Sequence, residues 1–252
     1  MSHMLSKNYQ PPLILGVVVP KSGSTTLTRL INGEYSRKKI FNFRNDKQGL
    51  LRVLDNHETH KYSVIIGRGD VATVELVRKD SRPVVAFTLI RDPIERLLSS
   101  FRAGLGSDTR MAKNDRKVSD AEEWLLENQK KYSYVKNLAM AKSAEEAIAE
   151  MEKTFQIIGT IENFPIFLDK LNTQFGWKLN QNISLNVSNA QPQSLDLSEK
   201  FKKHLKGLMQ EDILLYEFFR QKNLPKTSNS RKNYSLSWLK KRFWHRLQSL
   251  SG

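Results

Sequence analysis

Short runs of uninterrupted apolar residues alternate along this chain with longer segments in which apolar positions recur every three or four residues. The runs are Leu13–Val19, Tyr62–Gly67, Val84–Ile90 and Phe155–Gly159, with Ile40–Phe43 a weaker fifth. Continuous apolarity over so few residues suits strands buried on both faces, which is how parallel strands covered by helices read. Between the runs, Ser119-Asp120-Ala121-Glu122 and Ser143-Ala144-Glu145-Glu146 fit the capping box, in which a hydroxyl and a carboxylate satisfy the open amides of a helix start. Strand alternating with helix predicts a three-layer α/β/α domain around a central, mainly parallel sheet. A helix-like pattern stops at Leu224-Pro225 and a Ser/Asn/Lys stretch begins, which marks a boundary. Past it, Leu236, Leu239, Phe243, Leu247 and Leu250 recur at helical spacing, with Lys240, Lys241, Arg242, His245 and Arg246 mostly elsewhere around the helix. The chain therefore divides into residues 1–12, a tag remnant and lead-in; residues 13–225, the α/β domain; and residues 226–252, a basic amphipathic C-terminal tail.

Composition sharpens this outline. With 39% hydrophobic residues in a chain of 252, one sizeable core can be buried. Lys+Arg 41 against Asp+Glu 26 gives a net charge of +15, and seven of those positive charges fall in the tail, which has no acidic residue. Such a surface is built for an anionic partner. The absence of cysteine excludes disulfides, thiolate catalysis and cysteine-ligated zinc. No apolar stretch approaches bilayer length and no signal-peptide core is present, so a soluble, cytoplasmic setting is expected. The tail's basic amphipathic pattern suits three roles: peripheral attachment to an anionic membrane surface, a grip on an anionic polysaccharide, or packing on its own domain. Met1-Ser2-His3-Met4 reads as a cloning remnant, so His3 is set aside. Inside the domain, Gly104–Val118 is an aperiodic, charged loop; such loops are more often simply solvated, with a grip on an anionic substrate the alternative. Nucleic acid has only the net charge in its favour, since no RNA- or DNA-binding signature accompanies it.

The most informative segment lies between the first apolar run and the helical Leu27-Thr28-Arg29-Leu30-Ile31. Here Pro20-Lys21-Ser22-Gly23-Ser24-Thr25-Thr26 joins a buried strand to a helix. A glycine and small hydroxyl residues at that junction let successive amides converge on one anion, aided by the helix dipole. The loop is P-loop-like without being a nucleotide-kinase P-loop, because Lys21 precedes Gly23 and hydroxyls follow it. A second signal follows the third strong apolar run, at Arg91-Asp92-Pro93-Ile94-Glu95-Arg96-Leu97-Leu98-Ser99. Asp92 suits a helix cap and Pro93 the first helical position. Ser99 follows about two helical turns on, so guanidinium and hydroxyl can share one phosphate.

Together these segments resemble the sulfotransferases: Pro20–Thr26 is similar to their 5′-phosphosulfate-binding loop, and Arg91-Asp92-Pro93-x-x-Arg96-x-x-Ser99 to their 3′-phosphate motif. Phe155–Glu162 and Asp212–Phe218 are similar to the late strand and last core helix of the carbohydrate branch that contains the uronyl 2-O-sulfotransferases and their bacterial relatives; Asp212 and Tyr216 are read there as structural. The resemblance covers Leu13 to Lys222. It implies transfer of a sulfuryl group from 3′-phosphoadenosine 5′-phosphosulfate, leaving 3′-phosphoadenosine 5′-phosphate, to a carbohydrate hydroxyl, with no metal required. Lys21 would stabilise the leaving phosphate; Lys21, Ser22, Gly23, Ser24, Thr25 and Thr26 would hold the 5′-phosphate; Arg91 and Ser99 would hold the 3′-phosphate. Ser188 falls where relatives carry a loop that closes over the nucleotide.

The general base departs from the family pattern. Where the uronyl enzymes carry Gly-His-Val, this chain has Gly69-Asp70-Val71, which assigns Asp70 as the base, with His57, Glu58, His60 and Glu75 as rivals. Trp124, Trp177, Tyr132 and Tyr134 could stack on sugar or adenine, but aromatics at helical spacing are usually core, so none is assigned a site role. Two other functions compete: a P-loop phosphotransferase, which would need a carboxylate-held Mg²⁺, and a non-catalytic basic module that binds anionic glycan.

Overall fold

The five apolar runs all become strands: β1 (Leu13–Val18), β2 (Ile40–Arg44), β3 (Val64–Gly67), β4 (Val84–Ile90) and β5 (Ile157–Thr160). The structure is a computed structural model that describes residues 11–44, 46–79, 82–107, 118–180 and 197–224. The tail, Ser188 and residues 108–117 of the charged loop lie outside the described residues. Every strand pair is parallel, in the order β2-β3-β1-β4-β5, which places β1 at the centre. Two runs start later as strands than their apolarity predicts. At β5 the reason is visible: the Gln156 amide donates to the Ala86 carbonyl at 2.9 Å, but the Ala86 amide donates to the Gln156 side-chain Oε1 at 2.7 Å rather than to a strand carbonyl, so the ladder proper begins one residue on.

Ten helices are described: α1 (Ser24–Glu34), α2 (Lys47–Asp55), α3 (Val71–Arg78), α4 (Pro93–Ser107), α5 (Val118–Asn128), α6 (Tyr134–Asn137), α7 (Ala144–Thr154), α8 (Phe164–Phe175), α9 (Glu199–Leu208) and α10 (Gln210–Lys222). Ser143 caps α7 as its sequence predicts, its hydroxyl accepting the Glu146 amide at 3.3 Å. The Glu146 carboxylate reaches back to the amide of Lys142 rather than to that of the cap itself. At α5 the expectation fails, because the helix already starts at Val118 and Ser119 lies inside it.

Alternation along β1 sorts the layers. Leu13, Leu15 and Val17 face a core shared with α3, α6, α7 and α10, whereas Ile14 faces a second core shared with α1 and α8. Gly16 lies on that second side because a Cβ there would sit 2.7 Å from the Phe87 ring. A third apolar cluster joins α4, α5 and α9. Since α1 leaves β1 towards one face and α3 leaves β3 towards the other, the chain reverses its winding at the carboxyl ends of β1, β3 and β4. Ligands of open parallel sheets bind at such a switch point.

Candidate active site

Both phosphate motifs arrive at that edge, one at the end of β1 and the other at the end of the adjacent β4. The loop after β1 turns tightly because Lys21 (φ 66) and Gly23 (φ 72) both adopt left-handed backbone. Glycine does this freely, but for a lysine it costs about 1–2 kcal/mol, the kind of strain that collects at functional sites. Gly23 is the cap residue of α1 and supplies no side-chain bond to it, and no acidic residue stands in the first turn. The amides of Ser24, Thr25 and Thr26 donate to no described residue, and neither do their hydroxyls. Three of the four other helices that follow strands at this edge bring their own carboxylates: the Gly49 amide donates to Asp46, that of Thr73 to Asp70 and that of Glu95 to Asp92; α8, which follows β5 through a short 3-10 turn, has no side-chain cap. Among α1 to α4, then, only α1 presents an uncompensated positive end.

Two cations meet beside it. Arg91 reaches across to donate to the Lys21 carbonyl at 3.4 Å while its other nitrogen lies 3.6 Å from Glu95. Burial first, and the positive charge of Arg91 second, push the Lys21 amine below the usual lysine range. No carboxylate is within ion-pair distance of Lys21 among the described residues. An anion placed between the two loops would relieve both penalties. Ser99 is half-buried on α4 with its hydroxyl bonded to no described residue, so it too is free for a ligand.

Ser22 is placed differently from the expectation. Its side chain is 1% exposed, its amide donates to Val19 and its hydroxyl lies 3.3 Å from that of Tyr134, so its polar groups face into the protein. Arg96, from the second motif, is also buried; it donates to the carbonyls of Pro20 and Tyr132 at 3.1 and 2.7 Å and stacks over the Tyr134 ring at 4.4 Å. Tyr134, which the sequence leaves without an assigned role, is fully buried, yet its hydroxyl touches both loops. Asp212 fixes it from behind, accepting from the amides of Tyr134 and Val135 and from Ser133. Tyr216 is buried, and burial first and the neighbouring Glu162 carboxylate second raise its hydroxyl above the ordinary range; Glu162 also accepts the Asp92 amide. Asp212 and Tyr216 thus sit behind the site as supports.

Asp70 stands at the carboxyl end of β3, on the correct edge. It also has a task that the sequence reading missed: its Oδ1 accepts from the Thr73 amide and hydroxyl, both at 2.8 Å, and so caps α3. Its Oδ2 lies 3.5 Å from the Lys47 ammonium. The rivals lie elsewhere. His57, Glu58 and His60 occupy the turn before β3, at the amino edge of the sheet. Glu75 is exposed on α3 and paired with Arg78 at 2.8 Å. Around Asp70 the edge is basic: Arg44, itself left-handed at φ 47, ends β2, and Arg68, whose amide donates to the Arg44 carbonyl, follows β3. Among the described residues no group of three or more His, Asp or Glu side chains could hold a metal ion, and no helix is long and apolar enough to cross a membrane.

Residues 10–133 match the sulfotransferase family, and both phosphate motifs fall inside that segment. Among solved structures, the chain is similar to a sulfotransferase from Alicyclobacillus acidocaldarius, at 12% identity and a TM-score of 0.46 over 84% of this chain and 96% of that one. It is also similar to mouse sulfotransferase SULT7A1 complexed with PAP, at 13% identity and a TM-score of 0.48 over 83% of this chain and 87% of that one. No curated protein sequence matches it.

Proposed function

Because the chain belongs to the sulfotransferase family, we propose that it moves a sulfuryl group from 3′-phosphoadenosine 5′-phosphosulfate to a carbohydrate hydroxyl at the carboxyl edge of β1, β3 and β4. The observation that carries this reading is the open first turn of α1 beside Lys21 and Arg91. In its terms, the amides of Gly23 to Thr26 and the hydroxyls of Ser24, Thr25 and Thr26 hold the 5′-phosphate, and Arg91 with Ser99 holds the 3′-phosphate. Ser22 acts by holding the loop. As the acceptor oxygen bonds to sulfur, the bond from sulfur to the 5′-phosphate oxygen breaks, and charge grows on that oxygen. Lys21 offers it a partly desolvated cation, whose effect is greatest where charge develops. Asp70 takes the hydroxyl proton on Oδ2, the oxygen that the helix cap leaves free. The basic tail adds attachment to anionic surfaces by charge alone.

Titration with 3′-phosphoadenosine 5′-phosphate against ADP tests the donor assignment. A selective site at a hundredfold ligand excess stabilises the fold by about 2.7 kcal/mol. Equal stabilisation by ADP would break the assignment. Transfer of labelled sulfate to a panel of neutral and acidic saccharides then tests the acceptor class.

A further inference from the structure

The two phosphate loops come from strands that are neighbours in the sheet but seventy residues apart in sequence, and one buried side chain joins them. The Tyr134 hydroxyl donates to the Arg91 carbonyl at 2.9 Å, accepts the Arg91 amide at 3.0 Å and lies 3.3 Å from the Ser22 hydroxyl. A phenol has one proton and two acceptor sites. With the proton committed to Arg91, the Ser22 hydroxyl must be the donor in the third bond, so the full capacity of Tyr134 is spent on the two loops. We propose that Tyr134 is a positioning residue whose hydroxyl locks the loop after β1 to the loop after β4, holding the two phosphate sites at one separation. This rests on the donor reading above. The lock is itself held: Arg96 stacks on the ring and ties it to Pro20, and Asp212 fixes its backbone from α10. Burial raises the Tyr134 hydroxyl above its ordinary range, which keeps the donated proton in place. A ligand with phosphates at both 3′ and 5′ positions engages both loops and profits from a fixed separation. A ligand with one phosphate engages a single loop and does not.

The test is calorimetric titration of the wild type, Tyr134→Phe and Ser22→Ala with 3′-phosphoadenosine 5′-phosphate, 5′-AMP and 3′-AMP. Tyr134→Phe is expected to weaken the bisphosphate about 10-fold and either mononucleotide less than about 2-fold, since one to two hydrogen bonds are lost only where both loops are used. Ser22→Ala should show the same selectivity at about 3-fold, and the double variant should lose less than the product of the two, because both changes remove the same bond. Uniform weakening of all three ligands, or none, overturns the lock and leaves Tyr134 a core residue. Should Tyr134→Phe fail to fold, Ser22→Ala carries the same decision alone. A wild type with no preference for the bisphosphate over the mononucleotides overturns the donor reading and the lock with it, and that failure is seen before any variant is made.

Discussion

The first turns of α1 and α3 begin on neighbouring strands at the same edge of the sheet, yet they treat their amides in opposite ways. At α3, Asp70 and Thr73 exchange side-chain and backbone bonds until the cap is closed. At α1, Gly23 offers no side chain, no acidic residue stands in the first turn, and three amides with their hydroxyls donate to no described residue beside Lys21. A helix start normally recruits an acidic or hydroxyl cap because open amides and the dipole favour negative charge. A chain that fills this demand at α2, α3 and α4 leaves the α1 terminus, which stands beside Lys21 and Arg91, open to a negative charge from outside. The same comparison limits Asp70, because a residue that already caps a helix must do its chemistry with the remaining oxygen.

The sharpest way to break the comparison is Asp70→Asn. Asparagine caps about as well as aspartate, so the helix should survive while the proton acceptor is lost. If Asp70 is the base, transfer falls about 10²–10⁴-fold with donor binding intact. If the variant transfers sulfate normally, α3 is capped for structure alone and the base is another group on this edge. His57 and His60 are not the replacement, since they lie at the opposite edge; alanine at either should leave turnover unchanged.

Lys21→Ala strikes the open terminus instead. The loss should be in kcat, about 10²–10³-fold by analogy with removal of an oxyanion donor, with little change in donor affinity. A raised KM at normal kcat would reduce Lys21 to a binding residue. Its pH dependence adds a sign. Because burial and Arg91 lower the Lys21 amine from its usual range, its proton is lost earlier as pH rises, and turnover should decline at a lower pH than an ordinary lysine would give. In Lys21→Arg, whatever activity remains should lack that alkaline decline.

How much of this was legible from the sequence follows from what each feature depends on. The five strands were readable because parallel strands covered on both faces write themselves as unbroken apolar runs. The loop at Lys21 to Thr26 and the motif from Arg91 to Ser99 were readable because their chemistry is local. Asp70-x-x-Thr73 has the spacing of a capping pair, but a carboxylate at a strand end suits a cap and a base alike, and residue type alone does not separate the two. The placement of His57 and His60 needed strand direction, which no short window contains. Tyr134 was hidden more deeply. Its partners Ser22 and Arg91 are joined to it only by the fold, and its helix of four residues, Tyr134–Asn137, carries no periodicity. The inward turn of Ser22 follows from the same tertiary contact.

Arg91→Ala gives a smaller effect on the same contrast. Loss of a charged hydrogen bond to phosphate costs about 1.5–3 kcal/mol, or one to two decades of affinity for the bisphosphate. An analogue without the 3′-phosphate should bind as before. Equal losses for both ligands would mean that Arg91 serves the open end of α1 directly rather than a second phosphate.

The smallest effect separates structure from chemistry at Asp70. Asp70→Ala removes the cap as well as the carboxylate, and loss of an N-cap typically costs about 0.5–2 kcal/mol. In a chain of this size each kcal/mol lowers the melting temperature by roughly 2–4 °C. Thr73→Ala opens the same cap from the other side by removing the hydroxyl that bonds Asp70, while leaving its carboxylate in place. A base that also caps predicts a crossed pattern: Asp70→Asn inactive but stable, Thr73→Ala less stable but active, and Asp70→Ala defective in both. If activity instead follows melting temperature across all three variants, Asp70 acts only through α3, and the edge of β3 contributes shape rather than a proton acceptor.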